Sequence, residues 1–290
     1  MHLQANFIRY RRGLRMPSHI DGCRRLSILV SGALREASEG HCEDSAPGSV
    51  ALKSPQLVHR NRFGPDGATI LSVILPDVAL RRIGVGPDRL VDWRWRHDGT
   101  SSLLGLRLAC ALRLEAGASV EAELIAICRW FQREAAHPHT PGCESLGRDG
   151  ADKASSYRDS LRAPSASRWH RVRRALETPG PPPDMDALAR VEGVHPVTLA
   201  RLFRQRFGCS PTRYRQRWRA LSVARELLGG DDDLVAVALD HGFSDLSHMS
   251  RVFTRELGLP PGRFRGLLNR RSAEPSPMLE SFKTEWSVPL

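Results

Sequence analysis

Fifteen residues from Arg201 to Arg215, "RLFRQRFGCSPTRYR", return fifty residues later, from Arg251 to Arg265, as "RVFTRELGLPPGRFR". Arg, Phe, Gly, Pro, Arg and Arg recur at six matching places. A stretch repeated at a fixed interval has to fold as the same unit twice, so this part of the chain is built from two copies of one small motif. The pattern upstream of each copy is shared as well. Asp184 precedes Met185, Leu188 and Ala189 at helical spacing; Gly193 follows, and Pro196 opens a second helix, where proline's missing N–H would be unpaired anyway. Asp233 precedes Leu234, Val237 and Ala238; Gly242 follows, and Ser244 or Asp245 is able to cap the next helix. Both copies read as helix, glycine turn, helix, with Ala189 and Ala238 small enough to sit where two helices cross. Gly193 and Gly242 stand where such a turn calls for positive φ. An αα-hairpin that serves packing alone has the same outline.

The outward faces separate the two readings. In the later helix of the first copy, Leu199, Leu202 and Phe203 form the inward stripe and leave Val197, Ala200, Arg201 and Arg204 outside. In the second copy Met249, Val252 and Phe253 point inward and Leu246, Ser247, Ser250, Arg251 and Thr254 outward. Small or hydrogen-bonding side chains near a helix N-terminus, with an Arg able to bond guanine O6 and N7 together, suit the DNA major groove. One Arg at the same helical place twice favours DNA over a solvated charged face. Gly208 and Gly258 then end their helices and Pro211 and Pro261 begin the next; Tyr214 and Phe264 pack inward, and the neighbouring arginines are expected to point toward phosphate. Between the copies, Tyr214, Trp218, Leu221, Arg225 and Leu228 fall along one helix of roughly 20 Å. Such a rod would hold the two reading helices about one DNA turn, near 34 Å, apart.

Charge agrees with this location. The chain carries a formal +11 with a pI of about 10.2, and between Arg168 and Arg271 nineteen arginines face eleven acidic residues. That surplus suits a polyanionic partner. The start, "MHLQANFIRYRRGLRMPSH", is broken by Arg before any signal-peptide core could form. No run approaches the ~18 apolar residues of a spanning helix, so no membrane partner is expected. Six cysteines show neither CxxC spacing nor the density of a disulfide scaffold. A cytoplasmic protein with free thiols is expected.

The front of the chain is different in kind. Up to about Pro76, short apolar runs ("LSILVSG", "SVALKS", "TILSVIL") separated by Gly, Pro, Asp and Ser predict an antiparallel barrel or sandwich. From Ser101 to Ala136 the period becomes helical, with Leu104, Leu108, Leu112 and then Leu124, Ile127, Cys128 and Phe131, and Gly117 between two helices of a hairpin. The expected fold class is therefore α+β: an antiparallel barrel over 1–100, a helical hairpin over 101–136, a linker over 137–167, an all-α double helix-turn-helix over 168–271, and a disordered tail over 272–290. "GVGPDR" from Gly84 lacks the third glycine of a dinucleotide loop and is expected to be a turn; Trp93 and Trp95 in "VDWRWRHDG" suit a two-faced strand. No acid, base and nucleophile emerge as a set, so neither an enzyme nor a cofactor is expected.

"LARVEGVHPVTLARLFRQRFGCSPTRYRQRWRALSVARELLGG" followed by "VAVALDHGFSDLSHMSRVFTRELGLPPGRFR" resembles the DNA-binding domain of the AraC/XylS family of bacterial transcription regulators. The resemblance implies base-reading positions at Val197, Ala200 and Arg201, beside Arg204, and at Leu246, Ser247, Ser250 and Arg251. Many members carry Ser where His195 stands, which implies a weaker or pH-sensitive first cap. Members often carry a cupin-like effector barrel, and "PSHIDGCRRLSILVSGAL" with "PGSVALKSPQLVHRNRF" is similar to one. A metal-binding cupin would need two His and a Glu, then a later His. Here His19 and His59 match, Asp21 replaces the second His, and Arg25 stands near the expected Glu. A cationic Arg lowers cation affinity, so the resemblance implies no metal, with His19, Arg25 and His59 as effector-binding residues. It further implies double-stranded DNA, a small organic effector and RNA polymerase as partners, a homodimer paired through the hairpin, an activator's role and a place on the nucleoid. Two other readings stay open: a cupin-type metalloenzyme fused to a DNA-targeting domain, and a constitutive DNA-binding protein.

Overall fold

The computed structural model describes residues 2–38, 41–90, 94–97, 99–136, 166–180, 182–269 and 286–289. The front of the chain forms strands β1 (His2–Tyr10), β2 (Arg15–Ile20), β3 (Arg25–Ser38), β4 (His41–Ser45), β5 (Val50–Lys53) and β6 (Val58–Ile74). Two of them, β3 and β6, organise the rest. They pair antiparallel from Arg25 to Ala37 of β3, with β5 beside the first half of β3 and β4 beside the second. In the same way β6 carries β2 beside its early residues and β1 beside its late ones. Two half-sheets thus share two bent strands.

The bend has a sequence cause. The β3–β6 register shifts between Leu29 and Ser31 and again between Gly32 and Leu34. Gly32 and Gly67 have φ of 80° and 76°. A Cβ on Gly32 would collide with the Gly67 carbonyl oxygen, and one on Gly67 with that of Tyr10, so only glycine lets the backbones cross this closely.

Alternation then sorts the side chains. Leu26, Ile28, Val50, Leu52, Leu71 and Val73 join a core shared with α1 (Asp77–Arg82), α2 (Gly99–Arg113) and α3 (Gly117–Ala136), while Leu29, Ala51, Phe63, Ile70 and Trp95 form a second core on the other face. The expected closed barrel is corrected to an open antiparallel sheet. Its order is β4-β3-β6-β1-β7, with β2 beside β6 and β5 beside β3, and no ladder among the described residues joins the two ends. The final strand, β7 (Trp286–Pro289), lies antiparallel to the start of β1. The "GVGPDR" segment is a turn followed by a 3-10 turn at Pro87–Arg89, as expected. Trp93, His137 and His139 lie outside the described residues, as does the linker up to residue 165.

The remaining helices are α4 (Ala166–Glu177), α5 (Met185–Val191), α6 (Pro196–Phe207), α7 (Pro211–Gly229), α8 (Leu234–Asp240), α9 (Leu246–Leu257) and α10 (Pro261–Leu268). The packing divides the chain into two compact units, one of Met1–Ala136 with Gln216–Leu290, the other of His137–Arg215. The second unit has its own core, in which Trp169, Phe203, Phe207 and Tyr214 meet edge to face or tilted around Val172, Leu176 and Leu199. In the first, Leu221, Ala224, Met249, Phe253 and Phe264 belong to the same apolar core as Leu106 and the outer face of the sheet.

Candidate nucleic-acid interface and ligand cavity

The two motif copies are set by caps and turns. In the first, the Asp184 carboxylate accepts the Asp186 N–H at 2.8 Å to start α5. In the second, Asp233 accepts the Val235 and Ala236 N–H groups at 3.1 and 3.2 Å to start α8. Gly193 and Gly242 turn the chain with φ of 65° and 73°, as the motif requires. The second helices are capped unequally. His195 Nδ1 accepts the Val197 N–H at 3.3 Å, a long bond from a neutral imidazole. Asp245 accepts the His248 N–H at 2.7 Å, and Ser244 donates to Asp245 instead of capping. The His248 N–H, then the Ser244 hydroxyl, hold the Asp245 carboxyl below its ordinary value.

These caps aim α6 and α9. Leu199, Phe203, Met249, Val252 and Phe253 are buried, and Leu202 is half-buried. On the opposite face Val197 is 70% exposed, Arg201 and Arg204 are exposed, and Ala200 is half-buried. On α9, Ser247 and Arg251 are exposed and Ser250 half-buried. Leu246 differs: it is half-buried and packs against the core, so only part of it faces outward.

The arginines after each turn divide into two kinds, and one kind corrects the phosphate expectation. Arg213 and Arg263 are exposed. Arg215 is 5% exposed, and its guanidinium donates to the carbonyls of Leu176, Thr178 and Gly180, tying the end of α4 to α7. Its counterpart Arg265 donates to the Asp232 carbonyl at 2.7 Å, just ahead of α8. Both fasten the segment that leads into their motif, so they are structural. Buried carboxylates add a second tie in each copy: Glu192 takes a forked pair from Arg171 at 2.9 and 2.8 Å, and Glu256 accepts from Arg217 at 3.1 Å and Arg255 at 2.9 Å.

The sheet brings the three expected effector residues together. His19 and His59 are register partners on β2 and β6 with ring centroids 4.2 Å apart. Asp21 lies 3.8 Å from His59 Nε2 and 3.3 Å from the Arg25 guanidinium, so Arg25 already holds the carboxylate that a metal would need. Burial, then the Lys53 ammonium, pushes the His59 imidazole below its ordinary value. Among the described residues, no group of three or more His, Cys, Asp or Glu is placed to hold a metal ion.

Three further residues complete this polar interior. Glu36, fully buried, accepts from Lys53 Nζ at 2.7 Å and from Trp95 Nε1 at 3.3 Å. Lys53 also stands 5.7 Å from the Trp95 ring centre. A signal for them existed: Lys53 is a rare lysine inside the apolar run "SVALKS", where alternation sends it to the face opposite Leu52. At the edge of this region a cavity of about 260 Å³ is lined by Ser18, Ser38, His41, Cys42, His59 and Arg60, among others.

Two capped, glycine-turned helix pairs, each presenting the N-terminal face of its second helix, define a tandem helix-turn-helix of the DNA-binding class. Residues 188–266 match the family described as Helix-turn-helix domain. The chain is 38% identical over 78 residues to an AraC-like transcription regulator of Streptomyces lividans, covering 27% of this chain and 26% of that protein. It is 37% identical over 68 residues to the HTH-type transcriptional activator RhaS of Escherichia fergusonii, covering 23% and 24%. The chain thus spans about a quarter of the length of these relatives. Among solved structures, ToxT of Vibrio cholerae is similar at 10% identity and a TM-score of 0.37, over 94% of this chain and 98% of that one. No helix among the described residues is long and apolar enough to cross a membrane.

Proposed function

We propose that the protein is a sequence-specific DNA-binding transcription regulator whose sheet domain takes a small polar or anionic ligand. The observation that carries the DNA reading is the repeated geometry of α6 and α9, each with its apolar stripe buried and an exposed Arg one turn in, Arg201 or Arg251. In this reading Val197, Ala200, Arg201 and Arg204 meet one major groove and Leu246, Ser247, Ser250 and Arg251 another. Val197 and Ala200 have no polar group to offer a base, so Arg201 carries most of the first helix's hydrogen-bonded readout. The exposed Arg213 and Arg263 serve phosphate.

The ligand reading rests on the cavity beside His59. His59 and Arg60, which line it, can donate to a carboxylate or similar anion; His19 stands against His59, and the Arg25–Asp21 pair beside them disfavours a cation. Control then follows from linkage: a ligand that prefers one state shifts DNA affinity, and DNA shifts the ligand's affinity by the same factor. Footprinting on the DNA flanking its own gene tests the first part. Protection of a defined site at physiological salt, with much weaker binding to random DNA, is expected; equal affinity for both would leave a constitutive binder. Thermal-shift screening of small carboxylates on the full chain, followed by DNA titration with and without each hit, tests the second.

A further inference from the structure

Ligand control needs a physical connection between the sheet interior and a DNA-reading helix, and one side chain makes it within the unit that contains both. Arg225 lies near the end of α7, the helix that leads into α8 and α9. Its Nε donates to the Pro47 carbonyl at 3.0 Å, and its terminal nitrogen donates to the His97 carbonyl at 3.2 Å. These carbonyls belong to two loops already tied together. Val50 and Arg96 exchange both backbone bonds at 3.0 and 2.7 Å, and Ser49 Oγ meets His97 Nδ1 at 2.7 Å. Two residues before His97 stands Trp95, whose indole enters the sheet interior and donates to Glu36, and whose backbone N–H donates to Glu43 at 2.8 Å.

The chain of contacts is short. Lys53 and Trp95 share the Glu36 carboxylate, Trp95 anchors the extended segment 95–97, and Arg225 grips the end of that segment together with the turn at Pro47. Beside this grip the Gly48 backbone faces Leu221 of α7 and Leu106 of α2, so a displacement of the turn toward them by more than about a methyl group's width meets apolar core. Packed interiors pass on such displacements and do not absorb them. From this geometry we propose that Arg225 is a regulatory latch: an anionic occupant that competes with the Glu36 carboxylate for the Lys53 and Trp95 donors moves Trp95 and the 95–97 segment, and Arg225 carries that movement to the second helix-turn-helix. The proposal rests on the ligand-controlled DNA-binding reading above and adds which motif copy is controlled and by which side chain. Arg225 is a positioning residue, acting through the Pro47 and His97 carbonyls.

The test needs no identified ligand, because Trp95→Phe removes the indole donor and so breaks the same Trp95–Glu36 bond that an anionic occupant would break. The full-length protein is titrated with the footprinted DNA site at fixed salt as wild type, Trp95→Phe, Arg225→Met and the double variant. Trp95→Phe is expected to change the Kd by about fivefold or more. In the Arg225→Met background the same substitution is expected to change it by less than about twofold, the level at which uncoupled sites add. Arg225→Lys keeps the charge but cannot bridge both carbonyls, so it should behave like Arg225→Met. Hydrogen exchange of the DNA-free chain is the second readout, with faster exchange over 46–50 and 221–229 expected in Trp95→Phe. A Trp95→Phe effect of equal size in both backgrounds, or none at all in DNA affinity and exchange, overturns the latch. Faster exchange in a chain whose wild type binds no specific site supports the mechanical link and sinks the regulator reading instead.

Discussion

Arg201 and Arg215 lie in the same repeat, both have partners at identical places fifty residues on, and yet they are opposites in structure. Arg201 is exposed on α6, whereas Arg215 is buried against three carbonyls. Each Arg→Ala change at 201 or 251 should cost about 1–3 kcal/mol on the true site while barely altering random-DNA affinity; an equal loss on both DNAs would make them phosphate clamps. Arg215→Met should instead lower the melting temperature, since it strands buried carbonyls at roughly 1–3 kcal/mol, and any loss of DNA affinity should be the same for every sequence. The repeat pointed to both pairs without telling them apart, because a saved tertiary bond and a saved base contact leave the same mark in one sequence. His59 gives a pH-dependent test. Its value is lowered from 6.5 by burial first and Lys53 second, and the groups facing it are His19, Asp21, Lys53 and Glu36. The unfolded chain therefore binds more protons than the folded one below about pH 6.5, so this contribution to stability is whole above that pH and is lost as pH falls toward the folded value. Melting curves from pH 7.5 to 5 should show a decline that His59→Gln reduces.

At the level of elements, the helical half was legible and the sheet half only partly so. Asp184, Gly193, Asp233 and Gly242 announce their caps and turns because capping is local chemistry, settled within a few residues. The strands were visible as alternation, but the open sheet was not: that β3 and β6 each run through both half-sheets depends on Gly32 and Gly67 meeting from distant parts of the chain. Lys53 and Glu36 were missed for the same reason, as neither has a sequence neighbour that reveals the other. Gly32→Ala should destabilise by about 1–3 kcal/mol or more, since it meets both an unfavourable φ and the Gly67 carbonyl, and urea unfolding of the full chain measures it. The unequal caps of α6 and α9 predict the opposite sign. His195→Ser replaces a long imidazole bond by a hydroxyl suited to the N-cap and should stabilise the first helix pair by about 0.5–1 kcal/mol, read as slower amide exchange in α6.

Across the whole chain, the division into compact units does not follow the division that the sequence pattern draws. Composition and charge set 168–271 apart as one domain, but α8, α9 and α10 share their apolar core with α2 and the outer face of the sheet, while α4, α5 and α6 have a core of their own. Sequence could not show this, because the residues on α2 that meet α9 and α10 follow the same spacing as any buried helix face. The consequence can be measured in the intact protein. Leu106 is fully buried on α2 and lies, with Leu221, against the Gly48 turn. Leu106→Ala should cost about 2–4 kcal/mol through lost burial and the cavity left behind. If the second helix-turn-helix draws its stability from the sheet domain, amide exchange should quicken in α9 and α10 and stay unchanged in α5 and α6. Equal quickening in both copies would mean that the two motifs unfold as one domain, and unchanged exchange in α9 and α10 would mean that their own contacts hold them without the sheet domain.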